Sequence, residues 1–166
     1  MRKEKEEFYQ QATRRLLQQI DKMKMTDDQR RMARRFTLLF RNSFKSEAVK
    51  HATFDDQLGK RTDVFTYPSD GFCKASCFAF MSAMDSSDWK LMYISEIWTY
   101  GPHFFLYHIP SKQNFDLTAD QYTNIGISVP YELGRPERLE GKETASAQRF
   151  AIAVADYVNS IQQGGM

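Results

Sequence analysis

The sequence has few cysteines and histidines and lacks long apolar runs. Two cysteines four residues apart, Cys73 and Cys77, are too few for a disulfide framework. With three histidines and no CxxC pair, a structural zinc site is not expected, and no organic cofactor is implied. No segment reaches the roughly 18 consecutive apolar residues of a membrane helix, and no glycine-rich phosphate loop is present. The cysteines are therefore left either to core packing or to chemistry.

The N-terminal stretch MRKEKEEFYQQ lacks the apolar core of a signal peptide, so we expect a cytoplasmic protein with no membrane partner. The 166 residues, 42% hydrophobic and 14% aromatic, predict one domain with a substantial core. Charge is unevenly distributed, because residues 1–61 hold 16 of the 23 Lys and Arg but 9 of the 21 Asp and Glu. Such a basic third can face nucleic acid or an acidic partner, or can simply be a solvated helical face.

Apolar periodicity predicts helices in the first third of the chain. An amphipathic helix is expected over about residues 3–25. A second begins at TDDQ, a capping box in which Thr26 caps and Gln29 reaches back, and ends near Asn42 and Ser43. The stretch SEAVKHA adds a short helical segment. These elements form a predicted basic helical N-terminal region over residues 1–61.

The pattern changes over residues 62–166. SDGFCKASCFAFMSAM predicts a helix that carries both cysteines. WKLMYISEIWTY, HFFLYHI and NFDLT predict three strands of an antiparallel meander. TADQY predicts a helical turn, NIGISVPYELGRPERLEGK a long loop, and ETASAQRFAIAVADYVNSIQQ a mostly buried closing helix. The predicted fold class is α+β, with an α+β core over residues 62–166.

The two cysteines differ in their place on the predicted helix. Cys73 follows Gly71 by two residues and should lie in the first turn, where free backbone N–H groups and partial positive charge favour a thiolate. Cys77 lies one turn further in, among apolar side chains. We predict that Cys73 is reactive and that Cys77 packs in the core. The plainer alternative is that both are core residues, as is usual for cysteine in a helix.

A catalytic cysteine also needs a base and a group that orients the base. His103 begins the second predicted strand, and Asp116 lies on the next one. A hairpin of this length can place them side by side, with Asp116 accepting a hydrogen bond from the imidazole Nδ1–H. His108, of opposite strand parity, should point elsewhere. Singly, such a histidine is usually just polar and such an aspartate is often a cap, but with Cys73 they predict nucleophile, base and orienter.

The segment HFFLYHIPSKQNFDLTADQY resembles the end of the small bacterial YunG-like proteins. Their pattern is a histidine followed by aromatics, a short hairpin and Asp-Leu-Thr-x-x-Gln-Phe/Tyr, which in this chain is Asp116, Leu117, Thr118, Gln121 and Tyr122. The family also has an upstream helical cysteine with a small hydroxyl residue three positions later, matching Cys73 and Ser76. The order Cys, His, Asp is similar to that of papain-like and transglutaminase-like enzymes and of arylamine N-acetyltransferases.

The resemblance covers roughly residues 70–122. It implies a nucleophile helix packed on a small antiparallel sheet, and a cysteine-dependent acyl-transfer enzyme, either a peptidase or amidase or a transglutaminase-like enzyme. A protein or peptide-like substrate is expected. The chain departs from the family pattern at Phe105, where Trp would be expected, and in a hairpin about one residue longer. The basic helical region has no counterpart in the family, which leaves the substrate open.

An oxyanion hole would combine the Cys73 backbone N–H with a second donor. Gln57, Tyr67 and Ser69 all precede the nucleophile, and the sequence does not choose among them. Trp98 and Tyr100 can line an acceptor groove, although at least one of them is expected to be an ordinary sheet aromatic in the core.

The competing interpretation is a non-catalytic binding protein that uses the basic helices. Its contact residues would be arginines that mostly share one side of the second helix, namely Arg30, Arg31, Arg34, Arg35 and Arg41. Such a stripe can neutralise the phosphates of nucleic acid or bind an acidic protein, with an affinity that falls steeply with salt. An enzyme that also has this arm would suit an effector or a phage-borne modifier.

Overall fold

The computed structural model describes residues 2–54, 66–137 and 144–164, and this part of the chain has an α+β fold. Its helices are α1 (Lys3–Lys22), α2 (Asp27–Ser43), α3 (Glu47–Phe54), α4 (Cys73–Ala83), α5 (Asp120–Thr123) and α6 (Thr144–Gly164). Its strands are β1 (Trp89–Ile94), β2 (His103–His108), β3 (Gln113–Phe115) and β4 (Arg135–Pro136). Short 3-10 helices cover Ser86–Asp88 and Tyr131–Leu133. No described helix combines the length and apolar character needed to cross a membrane.

The capping box predicted from TDDQ is confirmed at the start of α2. The Gln29 backbone N–H donates to Thr26 Oγ1 at 3.1 Å, and the Thr26 backbone N–H donates to Gln29 Oε1 at 3.0 Å. These reciprocal bonds satisfy two N–H groups that would otherwise have no helical partner. Helix α1 ends three residues earlier than predicted, because Met23 adopts an extended conformation at its C-cap.

The sheet has the strand order β3-β2-β1-β4. Strands β1, β2 and β3 form the predicted antiparallel meander, with Leu91 opposite Leu106 and Leu106 opposite Phe115. The predicted long loop was wrong at its end, because Arg135 and Pro136 return to pair with β1 as β4. Proline is tolerated there because β4 is an edge strand.

The first predicted strand was too long, because β1 ends at Ile94. Beyond it the chain turns back on itself, with the Ile97 N–H donating to the Gly101 carbonyl at 2.9 Å. Trp98 has a φ of 54° and Gly101 a φ of 88°, which an extended strand cannot accommodate. The tight turn places the Trp98 side chain in solvent, where it is 77% exposed.

One aromatic core joins the N-terminal helices to the sheet and to α6. The ring of Phe44, the C-cap residue of α2, stacks on that of Phe72 with 4.5 Å between ring centroids, and both contact Phe150 of α6. Helix α4 lies between this cluster and β2. The prediction that α6 is mostly buried was wrong, because Ile152 is 63% exposed and Ile161 is 55% exposed. Helix α6 therefore buries one face only.

Candidate active site

His103 and Asp116 form a buried pair at one end of the sheet. His103 Nε2 lies 2.7 Å from Asp116 Oδ2, and both side chains are almost completely inaccessible to solvent. The pair forms because β3 runs antiparallel to β2, so the residue just beyond β3 comes back beside the start of β2. The prediction that Asp116 bonds to Nδ1 was wrong, since Nε2 makes the contact. Nδ1 has no hydrogen-bond partner within the described part of the chain.

Asp116 is held by two further donors. The Thr118 backbone N–H donates to Oδ1 at 3.1 Å, and the Tyr131 hydroxyl donates to Oδ2 at 2.9 Å. Tyr131 lies in the short 3-10 helix before β4, and its ring also packs edge-on against Phe105. The sequence analysis missed Tyr131, because a lone tyrosine in an irregular segment carries no periodicity that would place it. The carboxylate is therefore fixed in orientation toward the imidazole.

The electrostatic environment of His103 favours its protonated form. Burial alone would lower its pKa, but the Asp116 carboxylate and, to a smaller extent, the Cys73 side chain raise it from 6.5 to about 10. At neutral pH both ring nitrogens therefore carry a proton. The Nε2–H donates to Asp116, and the Nδ1–H is left beside Cys73.

Cys73 is the first residue of α4 and lines an open cleft of about 850 Å³. The N-cap residue, Phe72, makes no side-chain hydrogen bond to the backbone N–H groups of the first turn of the helix. Cys77 lies in the core, as predicted, and is 1% exposed. Burial, followed by the charges of Asp116 and Cys73, raises the pKa of the Cys77 thiol well above its usual value. Both thiols are buried in the same core cluster, at 9% exposure for Cys73 and 1% for Cys77, but only Cys73 lines the cleft.

Asp70 adds a second titrating group to the wall of the same cleft. Burial raises the pKa of its carboxyl from 3.8 to about 6, although the Tyr67 backbone N–H donates to it at 2.9 Å and Lys50 lies close enough to oppose the shift. The charge of Asp70 therefore changes near pH 6, and the pH dependence of any reaction of Cys73 in this cleft will include that change.

A buried carboxylate, that of Asp120, connects the segment before Cys73 to the segment after Asp116 and forms an ion pair with Arg41. Arg41 Nη1 and Nη2 bind the two carboxylate oxygens of Asp120 at 2.7 and 2.9 Å, and Nη1 also donates to the Leu117 carbonyl at 3.0 Å. The Tyr67 and Ser69 hydroxyls donate to the same carboxylate at 2.6 and 3.1 Å. Asp120 thus connects the turn after Asp116 to the loop before Cys73. We call these four side chains, Arg41, Asp120, Tyr67 and Ser69, the Asp120 network.

The predicted oxyanion donors are either engaged elsewhere or outside the described residues, and one of the groove aromatics lines the cleft. The hydroxyls of Tyr67 and Ser69 are engaged in the Asp120 network, so neither is available as an oxyanion donor. Gln57 lies outside the described residues. Trp98 is neither a core aromatic nor part of the described cleft wall, whereas Tyr100 contributes to that wall. The second donor is therefore none of the predicted residues that the structure describes.

Of the five arginines predicted to form a basic contact surface on α2, one is buried and two others bind α1. Arg41 is fully buried, so its assignment was wrong. Arg30 donates to the carbonyls of Ile20 and Met23 at the end of α1, and Arg34 binds Asp21 and the Leu17 carbonyl. The last carbonyls of a helix have no partner within it, and Arg30 satisfies carbonyls at the end of α1. Two of the predicted set, Arg31 and Arg35, are exposed, and Arg31 pairs with Asp28.

The remaining histidine of β2 lies apart from the site, as predicted. His108 Nδ1 bonds the Ser111 hydroxyl at 2.8 Å, and its ring lies 4.4 Å from Trp89. Burial lowers its pKa. Within the described ranges, no group of three or more His, Cys, Asp or Glu residues is arranged to hold a metal ion.

Comparison with known proteins gives no relative from which a role could be transferred. No family model matches this chain, and neither a curated protein nor a solved structure matches it.

Proposed function

We propose that this chain is a cysteine-dependent acyl-transfer enzyme in which Cys73 is the nucleophile, His103 carries the proton and Asp116 orients the imidazole. One observation carries the proposal: a fully buried imidazole has Nε2 on Asp116, while Nδ1 makes no hydrogen bond of normal geometry and the ring still interacts with Cys73, which lines an open cleft. An unsatisfied buried polar group costs about 1–3 kcal/mol. Such a group calls for an explanation, and catalysis is a recognised one.

The raised pKa of His103 defines how the site would work. The form that reacts is the Cys73 thiolate beside the His103 imidazolium, because the thiolate rather than the thiol is the nucleophile. Cys73 Sγ attacks the carbonyl carbon of an amide or thioester, and the C=O electron pair moves to the oxygen. When the C=O re-forms, the leaving group departs with the proton from His103 Nδ1, and a thioester on Cys73 remains. Neutral His103 then takes a proton from water or an amine, which attacks the thioester and releases the product.

The fold supports a papain-like or transglutaminase-like core as part of this proposal. Helix α4 begins with Cys73 and packs on β2, which begins with His103, and Asp116 follows β3. The order helix, strand, strand agrees with the resemblance to the YunG-like proteins. The substrate class that fits is protein or peptide-like, because the nucleophile lies in an open cleft rather than in a closed cavity.

The pH dependence of alkylation tests the proposal. Iodoacetamide would be applied between pH 5 and 9, and modification of Cys73 and Cys77 measured separately by peptide mass spectrometry. We expect Cys73 to react well below pH 8 in the wild type and to lose this advantage in His103→Ala. His108→Ala is the matched control, because His108 is a buried histidine of the same strand that does not contact the site. Circular dichroism would confirm that each variant folds.

Two outcomes would contradict the proposal. One is slow and equal alkylation of both cysteines. The other is an alkylation profile of Cys73 that is unchanged when His103 is removed. In either case the catalytic interpretation would lose its support.

A further inference from the structure

Helix α4 begins with backbone N–H groups that no other part of the described chain uses. Its first backbone hydrogen bond runs from the Ser76 N–H to the Phe72 carbonyl, at 2.9 Å. The N–H groups of Cys73 and Ala75 donate to no acceptor among the described residues. Unpaired N–H groups at a helix start bind anions well. The Cys73 N–H is therefore available for a negatively charged oxygen that forms at its own side chain.

Tyr122 is a second group near Cys73 with a free donor. It lies in α5, is only 5% exposed, and lines the cleft together with Cys73. Its ring meets the His103 imidazole edge-on, with 5.0 Å between centroids. Burial, followed by the charge of Cys73, raises the pKa of the Tyr122 hydroxyl, so it keeps its proton at neutral pH.

The hydroxyl of Tyr122 differs from those of Tyr9, Tyr67 and Tyr131, which all donate within the described chain. Tyr9 donates to the Arg41 carbonyl, Tyr67 to Asp120 and Tyr131 to Asp116. Within the described part of the chain, Tyr122 donates to nothing. The ring of Tyr122 is buried, and its hydroxyl belongs to the wall of the cleft that Cys73 also lines. A donor left unused on the wall of that cleft is suited to a ligand that is bound only during reaction.

We propose that the Tyr122 hydroxyl is the second oxyanion donor and acts together with the Cys73 backbone N–H. This role rests on the proposed acyl-transfer function. When Cys73 Sγ bonds to the carbonyl carbon, the π electron pair moves to the oxygen. The resulting oxyanion accepts one hydrogen bond from each donor, and neither proton is transferred. When the intermediate collapses, the C=O re-forms, the leaving group departs and both donors are again unoccupied.

Two reactions of the same thiol separate this role from support of the nucleophile. Alkylation by iodoacetamide displaces iodide at a saturated carbon and forms no oxyanion. Acylation by p-nitrophenyl acetate passes through an oxyanion and releases p-nitrophenolate in a measurable burst. In Tyr122→Phe we expect Cys73 acylation to fall by about 10²- to 10³-fold, as for loss of one oxyanion donor. The rate and pH profile of Cys73 alkylation should stay as in the wild type.

Tyr100→Phe is the matched control. Tyr100 lines the same cleft and its ring contacts that of Tyr122, but it is 56% exposed. We expect the rates of Cys73 alkylation and Cys73 acylation in Tyr100→Phe to match those of the wild type. Tyr122→Phe keeps the ring and removes a hydroxyl that makes no internal hydrogen bond, so it should fold normally.

The possible failures can be told apart. Unchanged acylation in Tyr122→Phe, or an equal fall in alkylation and acylation, would overturn the oxyanion role and leave Cys73 and His103 as proposed. Cys73 alkylation that does not depend on His103 would overturn the acyl-transfer function and the Tyr122 role with it. A wild-type Cys73 that is alkylated but never acylated by the ester would also overturn the oxyanion role.

Discussion

Raising the pH above 6.5 should destabilise the folded chain through His103. Burial would lower the pKa of this residue, but Asp116 and then Cys73 raise it from 6.5 to about 10. The folded chain therefore holds the proton more tightly than the unfolded chain. The resulting stabilisation is fully present below pH 6.5 and is lost as the pH rises through 10. At about 1.4 kcal/mol per pKa unit, it amounts to on the order of 5 kcal/mol. That is a large part of the roughly 5–15 kcal/mol that stabilises a typical domain.

Urea unfolding followed by tryptophan fluorescence can measure this contribution between pH 6 and 9.5. The free energy of unfolding of the wild type minus that of His103→Gln removes the titration of other groups. We expect this difference to fall by about 1 kcal/mol per pH unit between pH 7 and 9. Replacing Asp116 by Asn in both proteins should abolish most of the slope. Replacing Cys73 by Ala should remove less of it, because the carboxylate is the larger cause. A difference that does not change with pH would refute the buried imidazolium.

Three further substitutions test the surroundings of the site. Tyr131→Phe removes a hydroxyl bonded to the Asp116 carboxylate at 2.9 Å, so it should lower the free energy of unfolding by about 1–3 kcal/mol and slow Cys73 alkylation. Cys77→Ala should lower the free energy of unfolding by about 1 kcal/mol in urea unfolding and leave the pH dependence of Cys73 alkylation unchanged. Loss of that pH dependence would contradict a packing role for Cys77. Arg41→Met should destabilise the chain far more than Arg35→Ala in the same assay, because Arg41 is buried and Arg35 is exposed.

The features that the sequence predicts well are those in which local signals agree. The capping box at Thr26 requires only four consecutive residues, and both of its hydrogen bonds are present. The hairpin that brings Asp116 to His103 follows from strand alternation and a short turn, which together determine the register. Cys77 is in the core because the residues around it are apolar. In each of these cases the residues that interact lie within a short stretch of the sequence, at most 13 residues apart for His103 and Asp116.

The features that the sequence does not predict depend on distant partners. A stripe of arginines has the same spacing whether it faces solvent or another helix, and the partner of Arg41 lies 79 residues away. Strand β4 contains a proline and only two residues, so no period identifies it. The choice between Nδ1 and Nε2 of His103 depends on the orientation of the ring, which spacing does not determine. The turn at Trp98 needs a positive φ that this residue type rarely adopts.

Comparing Arg41→Met with a double variant that also carries Asp120→Leu separates the effect of the Asp120 network on fold stability from its effect on the position of Cys73. Arg41→Met leaves the Asp120 carboxylate buried without its countercharge, which typically costs about 3–5 kcal/mol. Adding Asp120→Leu removes that charge and should recover part of the loss in urea unfolding. The double variant lacks the acceptor that holds the Tyr67 and Ser69 hydroxyls, so the loop before Cys73 loses its connection to the turn after Asp116. We therefore expect the double variant to fold with partly restored stability but to show slow Cys73 alkylation below pH 8. If its alkylation matched the wild type, the Asp120 network would only stabilise the fold and would not position the nucleophile.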